Sequence, residues 1–344
     1  MQRRIRFLRS HRVALIALLS SVLYAEFRSP RPIESLDELL ASHALRPIAG
    51  EPASMATDAT APFSFLVAGH LFGSPVLKSG DRPAADLRSH VDEWRRAKPA
   101  FFLSLGDVFR SFAPPVVDET LAVLQSLGAP VYNAVGNHDV SRSREAYVER
   151  FGPTFGGFRR GASLFLVLDT ELDPWRISGE QLEFLGEALR LAPAAGVEHV
   201  FLFAHRVLFA PGDEDYDVVF RHCNSRADWP GTTNFAAEVR PLLAAFAKKG
   251  DVTWFSGDVG VRWSYGLFHD LDEDGVRYVA VGLGDMEWDC VVSVRVERAK
   301  GVSFDLVPLG DAAPPRLEEC GPEHWRERFQ REPDESGSSG ERYR

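Results

Sequence analysis

The sequence predicts a layered α/β domain, and three observations carry that reading. Short apolar runs alternate with stretches of helical periodicity through the middle of the chain. Side chains able to bind a metal sit just past the ends of several of those runs, and beyond Asp258 the alternation gives way to paired strands. Strand and helix in alternation build a sheet covered by helices, and such folds gather ligands at the carboxyl ends of their strands. With 344 residues, 45% of them hydrophobic, the chain can bury one large core or two modest ones, which excludes a disordered or fibrous class.

The elements follow in order. Arg3, Arg4, Arg6, Arg9 and Arg12 precede an uncharged run from Val13 to Ala25, the layout of an export signal. The run is short for a membrane span, which needs about 20 apolar residues. Leu23 stands where a cleavage site wants a small residue, so an uncleaved anchor stays open beside a cleaved signal peptide over residues 1–28. Either reading places the rest of the chain in the periplasm or another extracytoplasmic space, exported or held at the inner membrane. Residues 29–61 are rich in Pro, Ala, Ser and Thr, with one amphipathic stretch around Leu36 to Leu40, and read as a linker.

The runs Phe63 to Ala68, Ala100 to Leu105, Pro130 to Val135, Leu164 to Leu168, His199 to Ala204 and Val252 to Phe255 predict buried strands. Ser178 and Gln181 form a capping-box pattern ahead of Leu182, Leu185 and Leu189, which marks a helix start. Asp274 and Gly275 predict a hairpin turn. Asp270, Asp272, Asp274 and Gly275 also imitate the opening of a calcium-binding loop, but its twelfth position holds Val281 and its flanks read as strands, so the hairpin prevails. From residue 310 to 344 Pro, Glu, Arg, Ser and Gly dominate, and the composition predicts a flexible tail. Cys223, Cys290 and Cys320 are too widely spaced for a zinc pattern and odd in number; one bridge, Cys223 with Cys320, is compatible with the sequence and nothing more.

Acidic residues outnumber basic ones by 49 to 39, and no basic block occurs beyond the extreme N-terminus, so the chain lacks the electrostatic footprint of a nucleic-acid binder. Small or surface-attached substrates fit that charge better. Asp107, Asn137 with His138, His205 and Asp258 stand just past four of the strand runs. A carboxylate, an amide, an imidazole and a second carboxylate converging at strand ends are suited to a divalent ion.

The motifs around these residues are more specific. "FFLSLGDVFR", "PVYNAVGNHDV" and "FLFAHR" resemble the GD, GNHD and single-His motifs of the calcineurin-like metallophosphoesterase superfamily, and "FLVLDTELDPWRISGEQLEFL" resembles the segment that lies between the last two. "VTWFSGDVG" stands in the place of that family's closing GHxH, and order and spacing agree from about Phe63 to Leu309, giving a domain over 62–309. The resemblance implies a β-sandwich flanked by helices and phosphoester hydrolysis supported by divalent metal. It assigns Asp107, Asn137, His205 and Asp258 to one metal, with Asp in place of His at 258. The other metal's ligand positions correspond to Gly69, Leu71, Asp107 and Gly260, of which only Asp107 can coordinate, so one Mn, Fe or Mg ion is expected rather than two.

The resemblance further makes His138 the acid that protonates the leaving group and Asp139 the residue that orients it. His70 lies one position from the lost ligands, where period-two geometry turns it to the opposite face; capping the strand, contacting substrate or coordinating metal stay open for it. Arg110 and Arg206 either hold a phosphate from the place of the missing cation or are solvated surface arginines. Two functions follow: a phosphoesterase acting outside the cytoplasm, on cell-surface polysaccharide or related phosphorylated substrates, or a phosphoesterase-fold protein that only binds a phosphorylated or glycan ligand.

Overall fold

The computed structural model describes residues 33–52, 61–74, 82–221, 223–260, 266–298 and 300–331. The apolar run Val13 to Ala25 lies outside them. Among the described residues no helix is long and apolar enough to cross a membrane.

Eleven strands form two sheets among these residues. In one, β1 (Phe63–Ala68), β2 (Phe102–Ser104) and β3 (Val131–Asn133) run parallel, and β10 (Cys290–Glu297) and β11 (Gly301–Pro308) add antiparallel beside β1, in the order β11-β10-β1-β2-β3. In the other, β5 (Ser163–Val167), β6 (His199–Ala204), β7 (Asp251–Ser256) and β9 (Val276–Val281) are parallel, flanked by antiparallel β4 (Gly156–Arg160) and β8 (Leu267–Leu271), in the order β4-β5-β6-β7-β9-β8.

The apolar runs become central strands because both of their faces are buried. Along β1, Phe65 and Val67 point between the sheets while Leu66 and Ala68 point outward. Along β6, Phe201 and Phe203 point between the sheets while Val200, Leu202 and Ala204 meet the outer layer. The five-stranded sheet is covered outside by α2 (Ala85–Ala97), α3 (Pro114–Gln125) and α4 (Arg144–Phe151). The six-stranded sheet is covered by α1 (Leu36–Ser42), α5 (Gly179–Leu191), α6 (Asp217–Phe220), α7 (Arg240–Ala247) and α8 (Pro322–Arg331). The result is the helix-flanked β-sandwich of a metallophosphoesterase fold.

Four sequence expectations need correction. Within the linker expected over 29–61, residues 33–52 pack on the domain: Leu36, Leu39 and Leu40 are buried in the outer core. The same segment lies along two sheet edges, through Val131 N–H to Ala49 O at 2.9 Å and Gly157 N–H to His43 O at 3.1 Å. Edge strands with unpaired amides favour such covering. Within the tail expected over 310–344, Leu317, Cys320 and Trp325 are buried, and His269 N–H donates to Cys320 O at the β8 edge.

Third, the capping box does not form although the helix does. Ser178 Oγ donates to Asp173 Oδ2 at 2.7 Å, and Gln181 bonds the backbone of Asp169. Fourth, all three cysteines are free and buried, with Cys223 in the outer core and Cys320 in the inter-sheet core, so the bridge between them does not exist. The Asp274–Gly275 hairpin is present: Gly275 N–H donates to Asp272 O between antiparallel β8 and β9, with Gly275 at φ 82°.

Candidate active site

Parallel strands end on the same side of a sheet, and that topology brings the motif residues together. Asp107 follows β2, Asn137 and His138 follow β3, His205 follows β6 and Asp258 follows β7. The turn after β2 runs through Gly106 at φ 89° and Asp107 at φ 54°, which swings the Asp107 carboxylate across the strand ends. Gly106 is needed there, since a Cβ on it would lie 2.6 Å from His205 Nδ1.

His205 is fully buried. Its Nδ1 lies 2.8 Å from Leu105 O, and because a carbonyl only accepts, Nδ1 carries the proton and Nε2 presents a lone pair. That nitrogen faces Asn137 Oδ1 at 3.2 Å, Asp107 Oδ1 at 3.6 Å and Asp258 Oδ1 at 3.8 Å. Burial, with help from nearby Arg206, pulls the imidazole pKa well below its ordinary value, so the ring is neutral. Burial likewise pushes Asp107 well up, reinforced by Asp139 and Asp258, and holds Asp258 at about 6 against the opposing pull of Arg206 and Ser225. Three oxygens and one lone-pair nitrogen therefore face one another, and the burial that favours protons on Asp107 and Asp258 is a cost that a cation between them would offset. Two ligand atoms each near 2.1 Å from a shared ion stand about 3.0 to 3.4 Å apart, so only a small contraction is needed to close on a divalent cation. Among the described residues no group of three or more His, Cys, Asp or Glu side chains is spaced to hold a metal ion as it stands; the donor set at these strand ends includes Asn137 and needs that contraction. The donor set suits Mn, Fe or Mg better than thiolate-seeking metals.

On the other side of Asp107 the present packing leaves no room for ligands at two of the positions. A Cβ on Gly69 would lie 2.6 Å from Gly257 Cα, and one on Gly260, at φ 113°, would lie 2.6 Å from Gly282 O. Leu71 is fully buried among apolar side chains. His70 nevertheless enters the site: its φ of 53° ends the period-two alternation of β1, so the ring does not turn to the opposite face as the spacing predicts. Nε2 of His70 stands 3.5 Å from Asp107 Oδ2, and burial lowers its pKa to about 3.

His138 is half-buried, with Nδ1 2.8 Å from Arg110 O, which leaves Nε2 as the atom available for proton transfer. Asp139 does not orient it. Its buried carboxylate accepts instead from the backbone N–H groups of Asp107, Val108, Phe109 and Gly136 and from Asn133 Nδ2, so it fixes the loops that carry Asp107 and Asn137. Arg110 is exposed and touches His138 through its carbonyl.

Arg206 is not a surface arginine: its side chain is 3% exposed. Glu171 grips it bidentately at 2.5 and 2.8 Å, and Trp175 lies under the guanidinium at 5.1 Å. Nη1 has no hydrogen-bond partner and stands 3.7 Å from Asp258 Oδ2, on the His205 side of the centre and not where the other metal's ligands are missing. Sequence reasoning missed Glu171 and Ser225. Glu171 follows the end of β5 and so carried the same positional signal as the others, whereas Ser225, which donates from Oγ to Asp258 Oδ2, lies in a loop without any motif.

A helix-flanked double sheet with oxygen and imidazole donors at the strand ends defines the metallophosphoesterase class. The calcineurin-like phosphoesterase family model matches residues 65–262, more than half of the chain, and the chain belongs to that family. Among solved structures, a purple acid phosphatase from yellow lupin (Lupinus luteus) seeds is similar at 14% identity and a TM-score of 0.54, over 73% of this chain and 52% of that one. An NAD nucleotidase from Haemophilus influenzae has 12% identity and a TM-score of 0.42, over 72% of this chain and 50% of that one. A putative 5'-nucleotidase from Staphylococcus aureus has 15% identity and a TM-score of 0.42, over 79% and 58%. The chain thus spans about half the length of these proteins, and at such identities the lupin enzyme attests the fold alone. A comparison with curated proteins gives no significant match.

Proposed function

We propose that this protein is a metal-dependent phosphoester hydrolase that acts outside the cytoplasm on a small or surface-attached phosphorylated substrate, cell-surface polysaccharide or a related glycan among them. The observation that carries the reading is the unprotonated Nε2 of His205 facing Asn137, Asp107 and Asp258 within 3.8 Å. These four residues would hold one Mn, Fe or Mg ion. Such an ion supplies Lewis-acid stabilisation of the charge that develops on the phosphoryl oxygens.

The chain's own groups do the rest. Asp139 holds the two loops that present Asp107 and Asn137. Arg206 and Ser225 hold Oδ2 of Asp258, so that Oδ1 is the oxygen turned to His205. His138, steadied through Nδ1 by Arg110 O, delivers a proton from Nε2 to the departing oxygen.

The leaving group tests this assignment. His138→Ala should lower turnover of an alkyl or sugar phosphate by about 10²- to 10⁴-fold, the usual share of general acid catalysis. An activated aryl phosphate expels a stable anion and should lose much less. Equal losses for both substrates would remove His138 from the acid role. The second reading, a ligand-binding protein without turnover, is favoured by the glycine packing that shuts Gly69 and Gly260 against any side chain. Wild-type protein that binds Mn²⁺ and a phosphorylated ligand but hydrolyses no phosphoester would establish that reading.

A further inference from the structure

The donor set straddles the two sheets: Asp107 and Asn137 follow strands of the five-stranded one, His205 and Asp258 strands of the six-stranded one. Its spacing therefore depends on what joins the sheets at their carboxyl ends. On one flank the backbone does so, through Gly69 N–H to Val281 O at 2.9 Å and Leu283 N–H to Gly69 O at 3.0 Å. In the middle, His205 Nδ1–H donates to Leu105 O. On the flank of β3 and β5 a pair of side chains makes a join, Arg144 at the start of α4 with Asp169 just past β5.

That pair has the form of a clamp. Nη1 of Arg144 donates to Asp169 Oδ2 and Nη2 reaches Oδ1 at 3.4 Å, the two-pronged geometry in which a guanidinium fixes direction as well as distance. Each partner is anchored in its own sheet. On the Asn137 side, Asp139 pins the turn that presents Asn137, and Asn133 Nδ2 at the end of β3 donates both to Asp139 at 3.0 Å and to Tyr147 Oη of α4 at 2.9 Å. Strand, turn and helix are thereby one piece. On the His205 side, Gln181 exchanges hydrogen bonds with the Asp169 backbone at 2.6 and 3.1 Å, and Asp169 Oδ1 accepts from Glu171 N–H at 2.8 Å. The neighbouring residues hold Arg206, which follows His205: its N–H donates to Thr170 Oγ1 at 3.2 Å and its guanidinium to Glu171.

A continuous series of hydrogen bonds therefore runs from the helix behind Asn137 to the loop of His205. The gap it brackets is the shortest from His205 Nε2 to the donor oxygens, 3.2 Å to Asn137 Oδ1 against 3.6 and 3.8 Å to Asp107 and Asp258. We propose that the Arg144–Asp169 clamp sets the separation of Asn137 from His205 across the two sheets, which makes Arg144 a positioning residue for the bound cation and tunes the site to a small ion. The inference deepens the proposed function and rests on it only in taking the donor set to hold a divalent ion.

Ion size reports the separation directly. Mg²⁺ holds oxygen ligands at about 2.0–2.1 Å and tolerates little distortion, whereas Ca²⁺ accepts about 2.3–2.6 Å in a flexible shell. Detergent-solubilised full-length protein is titrated with Mn²⁺, and its displacement by Mg²⁺ or Ca²⁺ is followed through the electron paramagnetic resonance signal of free Mn²⁺. Arg144→Met should weaken Mn²⁺ binding by about 10- to 100-fold, the usual cost of losing a group that orients a metal ligand. Mg²⁺ should lose at least as much and Ca²⁺ clearly less, so that preference moves toward the larger ion. Arg144→Lys keeps the charge without the second prong and should recover part of the Mn²⁺ affinity.

Arg144→Met strands the buried Asp169 carboxylate. If circular dichroism shows that it does not fold, the double variant Arg144→Met with Asp169→Asn is read in the same way. A folded variant that binds Mn²⁺ as tightly as the wild type overturns the proposal. So does a loss by the same factor for all three ions, which would make Arg144 a structural brace without influence on the gap. Wild-type protein that takes up no Mn²⁺ overturns it together with the metal reading, whereas one that shows Arg144-dependent uptake and hydrolyses no phosphoester loses only the hydrolase reading.

Discussion

Arg206 follows a motif histidine and, read along the chain, is an ordinary charged residue in a loop; in the fold it is the buried counterion of Glu171. Burial works against its charge, yet Glu171, Asp258 and Asp107 outweigh that and raise its pKa. Breaking such a pair by removing one partner strands a charge, so Arg206→Met should destabilise the protein by about 3–5 kcal/mol in denaturant unfolding. The double variant Arg206→Met with Glu171→Gln should recover much of that loss. A change below about 0.5 kcal/mol for the single variant, the range of surface substitutions, would contradict the buried pair. At this scale the sequence reveals residue types and their positions at strand ends, which is why Asp107, Asn137, His205 and Asp258 were legible. It does not reveal side-chain partners. Asp139 follows His138 in the chain but bonds backbone groups of two loops, and the direction of His70 depends on one dihedral angle that no spacing rule supplies.

Elements were legible where both faces of a strand are buried, because continuous apolar runs are conspicuous. The runs at Phe63 to Ala68 and His199 to Ala204 coincide with β1 and β6. Elements anchored by a few side chains were not. Residues 33–52 and 310–331 are mostly polar or proline-rich, and a composition argument averages away the isolated anchors Leu36, Leu39, Leu40, Leu317 and Trp325. The pairing of β10 with β1 was hidden for another reason: it joins segments more than two hundred residues apart, and local pattern holds no information on such partners. Helix α1 offers the test. Leu39 is 2% exposed beside Leu40 and Phe184, so Leu39→Ala should cost about 2–5 kcal/mol in denaturant unfolding, the range for a buried leucine. A tethering spacer would show no loss.

At the scale of the whole molecule, the question is which side of a membrane the sandwich occupies. The arginines at 3, 4, 6, 9 and 12 precede the uncharged run from Val13 to Ala25, and Lys and Arg flanking an apolar segment are retained on the cytoplasmic side while the segment's other end is delivered outward. The folded domain begins with residues 33–52 packed onto it, a short stretch after the run, and we propose that an exported or anchored run would carry the sandwich outward with it. A C-terminal fusion to alkaline phosphatase, which is active only after export, should therefore be active, and the matching fusion to a fluorescent protein that matures only in the cytoplasm should stay dark. Replacing the five arginines by glutamate should weaken or reverse the pattern, since orientation follows positive charge and not apolarity alone. A silent phosphatase fusion beside a bright fluorescent one would place the site in the cytoplasm, and surface glycans would then be out of reach as substrates.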